Sequence, residues 1–456
     1  MLAFLEKIIA FITSLFVGLF STLGCGPSEP EKPVLPPFVE QYELAEPVGV
    51  SLSGAWNSSG TTEVKRYDDT AESDFEAYRN LLLENGFEVY DENTIDGNRF
   101  VTLVSDELSV HLYRFSKTKV MRVVIEELGE LCTLGDPCEE TVTPLLTGLK
   151  GSTVVAVGGM GYIIRLSDGS FLMIDSGMGD PDHFDSTQIM DILLAQKPEW
   201  AEKPVIAAWI FTHLHGDHVG AFNCFSLDHH DDVEIERLVF NFPREEEIEL
   251  SDSPYMLDDT IYRWNQFKKN LADFYSDVPV VKVHTGDRFD VRDAHFEVLY
   301  THEDLYPDSI IDGLNESSLL FKMDFAGQSY LWTGDFASLG NDIVLSEYSA
   351  ETFKSDFLQL AHHGINGSVD LYSKADPVFA LLPVWDGPWG KTSAYEYMLS
   401  LEQNRWIVDS PNVKQLIATF CGTWTIELPY DPVPGTFERI PTTETVYPQY
   451  PDLLGK

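Results

Sequence analysis

The chain is 456 residues long and carries 30 Lys and Arg against 74 Asp and Glu, a formal net charge of −44. That length supports two or three domains and at least one large core. A field of this sign repels phosphate backbones, and no Lys/Arg cluster reverses it locally, so sequence-independent nucleic-acid binding is disfavoured.

At the N-terminus, Ile8 to Phe20 is apolar and uncharged, and Leu23-Gly24-Cys25 follows shortly after. Residues 1–25 read as an export signal. Leu-Gly-Cys resembles the lipobox of bacterial lipoproteins, which implies lipidation at Cys25 and an extracytoplasmic, membrane-anchored protein. Thr22 stands where that pattern usually has Leu, and Glu6 offsets Lys7. The alternatives are an uncleaved anchor, because the apolar stretch approaches bilayer-crossing length, and a buried helix. Residues 26–40 hold Pro27, Pro30, Pro33, Pro36 and Pro37, a spacer that stays extended.

Residues 41–128 read as a small α+β accessory domain. Ser73 to Glu84 is predicted as a helix, with Ser73 as N-cap, Glu76 completing a capping box, and a stop at Asn85-Gly86. Alternating runs over 87–90, 99–104, 108–113 and 120–125 predict strands, and His111 within one of them is expected to be structural. The domain is expected to position substrate or the cell surface. A linker over 129–145 contains Cys132 and Cys138, which in an oxidising location can close a small loop; two free thiols are the alternative. Cys224 and Cys421 lie in apolar contexts and are expected to be packed.

Further along, Ser170 to Gly177 reads as a strand ending in Asp175 and a Gly turn. Val205 to Phe211 is a continuous apolar run of the kind covered on both faces. Thr212-His213-Leu214-His215-Gly216-Asp217-His218 comes directly after it, with four potential metal ligands in six residues. In extended chain His213 and His215 point to one side, and Gly216 permits a turn that brings Asp217 and His218 to the same point. Two adjacent metal sites result, built of ligands that suit Zn²⁺ and similar cations. His229-His230-Asp231-Asp232 reads as a solvated loop, and His284 and His295 as surface or packed residues. Ser329 to Asp335 is a strand ending in Gly334-Asp335, and Phe357 to Gly364 is a strand ending in His362-His363-Gly364. Residues 431–456 form a Pro-rich, extended tail.

These motifs, in this order over residues 146–430, resemble the signature of the metallo-β-lactamase superfamily. The resemblance implies an α/β fold, an αββα sandwich preceded here by the small α+β accessory domain, with a one- or two-metal hydrolytic site. It also implies that Asp175 buttresses the ligands, that Asp335 bridges the metals, and that the later strand delivers a final His. Where many members place a further His, Leu314 to Phe321 carries Asn315; His302 is the alternative ligand. An Asn-x-x-Ser segment followed by Gly-Asp and His-His-Gly is most similar to the hydrolase domain of DNA-uptake competence channels and their secreted relatives. Those domains tend to have His-Pro after the last strand, where this chain has Gly390-Lys391-Thr392-Ser393, which separates it from a shared nucleic-acid substrate.

The expected ligand set is His213 and His215 on the first metal, completed by Asn315 or His302, and Asp217, His218 and a terminal His on the second. Asp335 bridges, and Asp217 also orients the nucleophile. His362 is favoured as the terminal ligand, which leaves His363 to donate to the substrate oxyanion. Two Zn²⁺ per chain are expected, with Mn²⁺ or Fe²⁺ as alternatives. The function expected is hydrolysis of a phosphodiester or ester, a small molecule or a component of the cell envelope. A lactone or β-lactam hydrolase, a nuclease and a non-catalytic binding protein are the competing readings. Trp385 and Trp389, in a Gly/Pro loop, either stack on a substrate ring or cation or pack in the core.

Overall fold

The computed structural model describes residues 36–150, 159–179, 183–251, 256–306, 313–383, 400–419 and 422–431. The export signal with Cys25, the spacer up to residue 35, the Trp385–Trp389 loop, Gly390–Ser393, Cys421 and the tail beyond Asp431 lie outside them. No described helix is long and apolar enough to cross a membrane.

Residues 145–427 build two sheets packed face to face. One runs Val280–Val281, Leu238–Val239, Val205–Ile210, Phe171–Asp175, Gly161–Arg165, Leu145–Gly148, Trp424–Glu427, with Glu234–Ile235 paired beside Val205–Ile210. The other runs Arg288–Val291, Ala294–Tyr300, Leu320–Phe325, Gln328–Trp332, Phe357–Gln359, Phe379–Leu382, Gln415–Ala418. Alternation along the strands sorts their side chains between layers. Leu172 and Ile174 enter the core between the sheets, where they meet Phe321, Met323, Tyr330 and Trp332. Phe171 and Met173 face the opposite way, against the helices Phe184–Gln196, Gly216–His229 and Leu257–Phe274 through Ile189, Leu193, Phe222 and Phe267. On the far face of the second sheet, Leu331, Leu358 and Leu382 pack on Val344, Leu371, Tyr372 and Ile407 from the helices Ser338–Glu347, Val369–Ala375 and Glu402–Asp409. The order of layers is helix, sheet, sheet, helix. Phe171–Asp175 runs parallel to Val205–Ile210, and Gln328–Trp332, Phe357–Gln359 and Phe379–Leu382 are parallel to one another. Their carboxyl ends therefore share one edge of the sandwich, where the short loops gather.

The accessory part is a six-stranded antiparallel sheet in the order Leu52–Ser59, Thr62–Tyr67, Met121–Glu127, Leu108–Arg114, Asn98–Val104, Glu88–Ile95. Its first two strands are Ser-, Gly- and Asn-bearing or charged and give no clear alternation, so the sequence analysis does not find them. The helix spans Glu72–Glu84 with Ala71, not Ser73, at the N-cap, and Asp74, not Glu76, reaches back to the Ala71 N–H at 2.7 Å. Asp74 sits three residues past the cap and can close on it, whereas Glu76 ion-pairs with Arg99. The helix covers one face of the sheet through Phe75, Tyr78 and Leu82. The other face does not meet solvent: Trp56, Val64, Phe100, Tyr113 and Val124 join the core that contains Leu299, Tyr300, Leu305 and Tyr306. Arg122 donates to the carbonyls of Asp304 and Tyr306 at 2.7 and 2.9 Å, and Tyr113 OH donates to Asp304 at 2.8 Å. This sheet is thus a seam partner of the sandwich. Cys132 and Cys138 are free thiols, directed at different carboxylates, Asp287 and Asp293.

Candidate metal centre

Asp175 closes its strand with a left-handed backbone, φ 52°, and its buried carboxylate becomes the hub of the loop opposite. It accepts from the Thr212 N–H at 2.7 Å, from Thr212 Oγ1 at 2.8 Å and from His218 Nδ1 at 2.7 Å. With its own proton given to Asp175, Thr212 Oγ1 is an acceptor for His213 Nδ1 at 3.2 Å. Asp175 and Thr212 thereby hold the Nδ1 side of the two rings and leave Nε2 of each facing Asp335, the orientation a carboxylate imposes on metal-binding histidines. Gly334 makes room for this loop. At φ 53°, a Cβ there would lie 2.8 Å from Thr212 Cβ.

The ligand atoms converge from three strand ends. His213 Nε2 and His215 Nδ1 stand 3.1 Å apart. Asp335 places Oδ1 3.2 Å from His218 Nε2, and Oδ2 3.9 Å from His213 Nε2 and 3.6 Å from His363 Nε2. His363 Nε2 is also 3.1 Å from Asp217 Oδ2. Two compact groups result, His213, His215 and Asp335, and Asp217, His218, Asp335 and His363, with Asp335 common to both.

Polar satisfaction tests whether a cation suits this centre. His215 Nε2, His218 Nε2, Asp335 Oδ1 and Asn315 Oδ1 are buried without a hydrogen-bond partner. Each such orphan costs about 1–3 kcal/mol, so a cluster of them around one point fits a bound cation. Electrostatics agree. Burial opposes the charge on Asp335, but His218, His363 and His362 outweigh it and hold the carboxyl well below the usual range. Burial, with His218 beside it, drives His213 well below the usual histidine range and leaves a neutral imidazole, the ligating form.

The two terminal histidines exchange their expected positions. His363, not His362, lies with Asp217, His218 and Asp335. Its Nδ1 donates to the Pro383 carbonyl at 2.8 Å, which turns Nε2 toward the carboxylates. The reversal comes from the backbone, since His362 and His363 both have φ near 50° and the following Gly364 has φ 81°. That left-handed turn swings His362 outward, where its side chain is 22% exposed against 2% for His363. Asn366 donates to His362 Nδ1 at 2.9 Å, and the Asn315 amide lies 3.2 Å from the same atom. Asn315 stands beside His362 through its amide nitrogen, while its Oδ1 is buried without a hydrogen-bond partner. His302 belongs to neither ligand group: it is buried beside Ser58 and Glu303 at the seam, with both ring nitrogens unpartnered. His229 and His230 pair with Asp232 and Asp231, and His295 is exposed against Asp290. His284 is buried in the seam. Asn366 belongs to no spaced motif and is not legible in the sequence, whereas the Ser of the Asn-x-x-Ser segment, Ser318, receives the Asp335 N–H on its hydroxyl at 3.1 Å.

Removing the hub is expected to be felt at both histidines. Asp175→Ala should lower metal affinity about 10–100-fold, the usual cost of losing a carboxylate behind a ligating imidazole. Isothermal titration with Zn²⁺ checks this, and unchanged affinity would show that Asp175 only packs.

No protein-family model matches the chain. It is 24% identical over 378 residues to ComE operon protein 3 of Bacillus subtilis (strain 168), covering 74% of this chain and 43% of that protein. The chain thus aligns with less than half of that relative's length. Among solved structures it is similar to the metallo-β-lactamase fold protein YhfI from Bacillus subtilis, at 11% identity and TM-score 0.34, over 61% of this chain and 99% of that one. It is also similar to CmlA, a diiron β-hydroxylase from Streptomyces venezuelae, at 13% identity and TM-score 0.37, over 64% of this chain and 55% of that one. The helix–sheet–sheet–helix layering, with a His-x-His-x-Asp-His loop and the Asp335 and His363 strand ends meeting at one edge, is the metallo-β-lactamase fold.

Proposed function

We propose that this protein is a metal-dependent hydrolase of a phosphodiester or ester outside the cytoplasm, tethered to a membrane by lipid on Cys25. The observation that carries the chemistry is the pair of ligand groups joined by one carboxylate. His213 and His215 would hold one divalent cation and Asp217, His218 and His363 the other, with Asp335 between; Zn²⁺ suits this set, and Mn²⁺ or Fe²⁺ are alternatives. Bound cations would supply Lewis acidity and lower the pKa of a bound water toward neutrality. The chain supplies the rest. Asp217, whose second oxygen faces His363, orients the attacking water by accepting its hydrogen bond. His362, with Nδ1 occupied by Asn366, carries its proton on Nε2 and is the more exposed of the two terminal histidines. It is placed to donate to the substrate oxygen on which negative charge develops.

His362→Ala should therefore reduce kcat by about 10²–10³-fold, the cost of one such donor, while metal content stays intact. Loss of a metal equivalent in that variant would return His362 to the ligand set.

The substrate class is tested with metal-loaded protein lacking residues 1–25, on bis-p-nitrophenyl phosphate, p-nitrophenyl phosphorylcholine, nitrocefin and single-stranded DNA. Turnover of the phosphodiesters that disappears in Asp335→Ala supports the proposal. Turnover of nitrocefin alone would move the reading to a cyclic-amide hydrolase, and cation binding without any turnover would point to a binding protein. A nuclease is disfavoured by the net charge of −44. For the tether, Cys25→Ser should release the protein from membranes or block its processing. Unchanged retention and unchanged mass would favour an uncleaved helix instead.

A further inference from the structure

A second cluster of metal-ligating side chains lies away from the hydrolytic edge, inside the seam between the accessory sheet and the sandwich. His111 comes from the strand Leu108–Arg114, Glu126 from Met121–Glu127, and His284 from the loop before Arg288–Val291. One ligand atom of each lies within 4.8 Å of the others. His111 and His284 are buried, 6% and 0% exposed, and their ring centroids are 3.9 Å apart.

Each ligand is oriented from behind. His284 Nδ1 lies 2.7 Å from Glu303 Oε2, which directs its Nε2 at Glu126 Oε1, 3.2 Å away. His111 Nδ1 lies 3.2 Å from Thr102 Oγ1 and 3.3 Å from Asp287 Oδ1. Glu126 Oε2 is engaged by Lys282 Nζ at 3.2 Å and Thr62 Oγ1 at 3.0 Å, so Oε1 is the oxygen left for the cluster. A cavity of about 20 Å³ adjoins the cluster, lined by His111, Glu126, Cys132 and Asp287 among others. That volume holds about one water-sized body. Three carboxylates, Glu126, Glu303 and Asp287, stand around the two imidazoles, with Lys282 beside them.

We propose that His111, Glu126 and His284 bind a divalent transition-metal ion of the zinc class, a structural cation that clamps the accessory sheet to the sandwich. Two imidazoles and one carboxylate, each backed by a further carboxylate or cation, form a set that Zn²⁺ and Co²⁺ favour over Mg²⁺ or Ca²⁺. Because two ligands come from one unit and one from the other, binding couples to their association.

The test uses the full chain in detergent with the hydrolytic centre silenced by His213→Ala and Asp335→Ala, stripped of metal and titrated with Co²⁺. One equivalent should bind with the visible absorption of a low-coordinate cobalt site, and its binding should raise the melting temperature. Adding His111→Gln or Glu126→Gln should weaken binding at least about 100-fold and remove the absorption, with circular dichroism confirming a native fold. Absence of Co²⁺ binding in the silenced chain overturns the proposal, whatever the fate of the variants. Unchanged binding in a folded His111→Gln or Glu126→Gln chain overturns it as well. Because His213 and the shared Asp335 are replaced from the start and the seam variants are compared on that same background, neither result depends on the two-metal reading of that centre.

Discussion

Asp335→Ala should lower turnover by about 10³-fold or more and release both metals, whereas Asn315→Ala should keep measurable activity and both metals. The difference follows from position. Asp335 is shared by both ligand groups and is the carboxylate between His213 on one side and His218 and His363 on the other. Its loss removes a ligand from each cation and the charge that offsets them, and metal-dependent activation of water goes with it. Asn315 contacts His362 through its amide. Deleting it removes about one hydrogen bond, ~1.4 kcal/mol or roughly tenfold in rate. Metal analysis and kcat on both variants decide the matter. Equal losses would mean that Asn315 Oδ1, buried and unpartnered, is itself a ligand.

Gly286→Ala should be the most damaging conservative change to stability. Gly286 has φ 92°, and a Cβ there would lie 1.8 Å from Phe100 Cδ1, a ring of the accessory sheet locked against Tyr113 and Phe115. The left-handed backbone costs an L-residue about 1–2 kcal/mol, and the overpacking adds about 1–3 kcal/mol. Together they amount to about 2–5 kcal/mol, a fall in melting temperature of roughly 2–6 °C for a unit of this size. Gly327→Ala is the control, with φ 74° and open space around it, so only the backbone cost applies. Calorimetry on both separates the terms, and equal shifts would show that Phe100 yields without cost.

Much of the candidate metal centre was legible because its residues are local. His213 and His215 follow a strand two residues apart, and Asp217 and His218 open the helix Gly216–His229, so short-range spacing sets their relative directions. Asp175 and Asp335 were legible as strand ends. The order of His362 and His363 was not, since it depends on two successive left-handed residues that no side-chain pattern announces. His302 misled because its distance from Asn315 in sequence is small while its side chain turns into the seam. The seam itself was invisible. His111, Glu126 and His284 come from strands and a loop far apart in the chain, and each alone looks like an ordinary packed or exposed residue. Cys132 and Cys138 are close in sequence, yet Asp287 and Asp293 draw their thiols to different partners.

The linker over 129–145 marks a boundary in sequence but not in folding. A fragment cut there and begun at residue 146 would leave Leu299, Tyr300, Leu305 and Tyr306 as a bare hydrophobic wall, with Glu303 and Asp304 stranded beside it without Ser58, Tyr113 and Arg122. Such a piece would aggregate before its chemistry was ever measured. The accessory sheet behaves as the missing side of the sandwich's own core, and any transplant of this metal centre to another scaffold has to carry residues 41–128 with it.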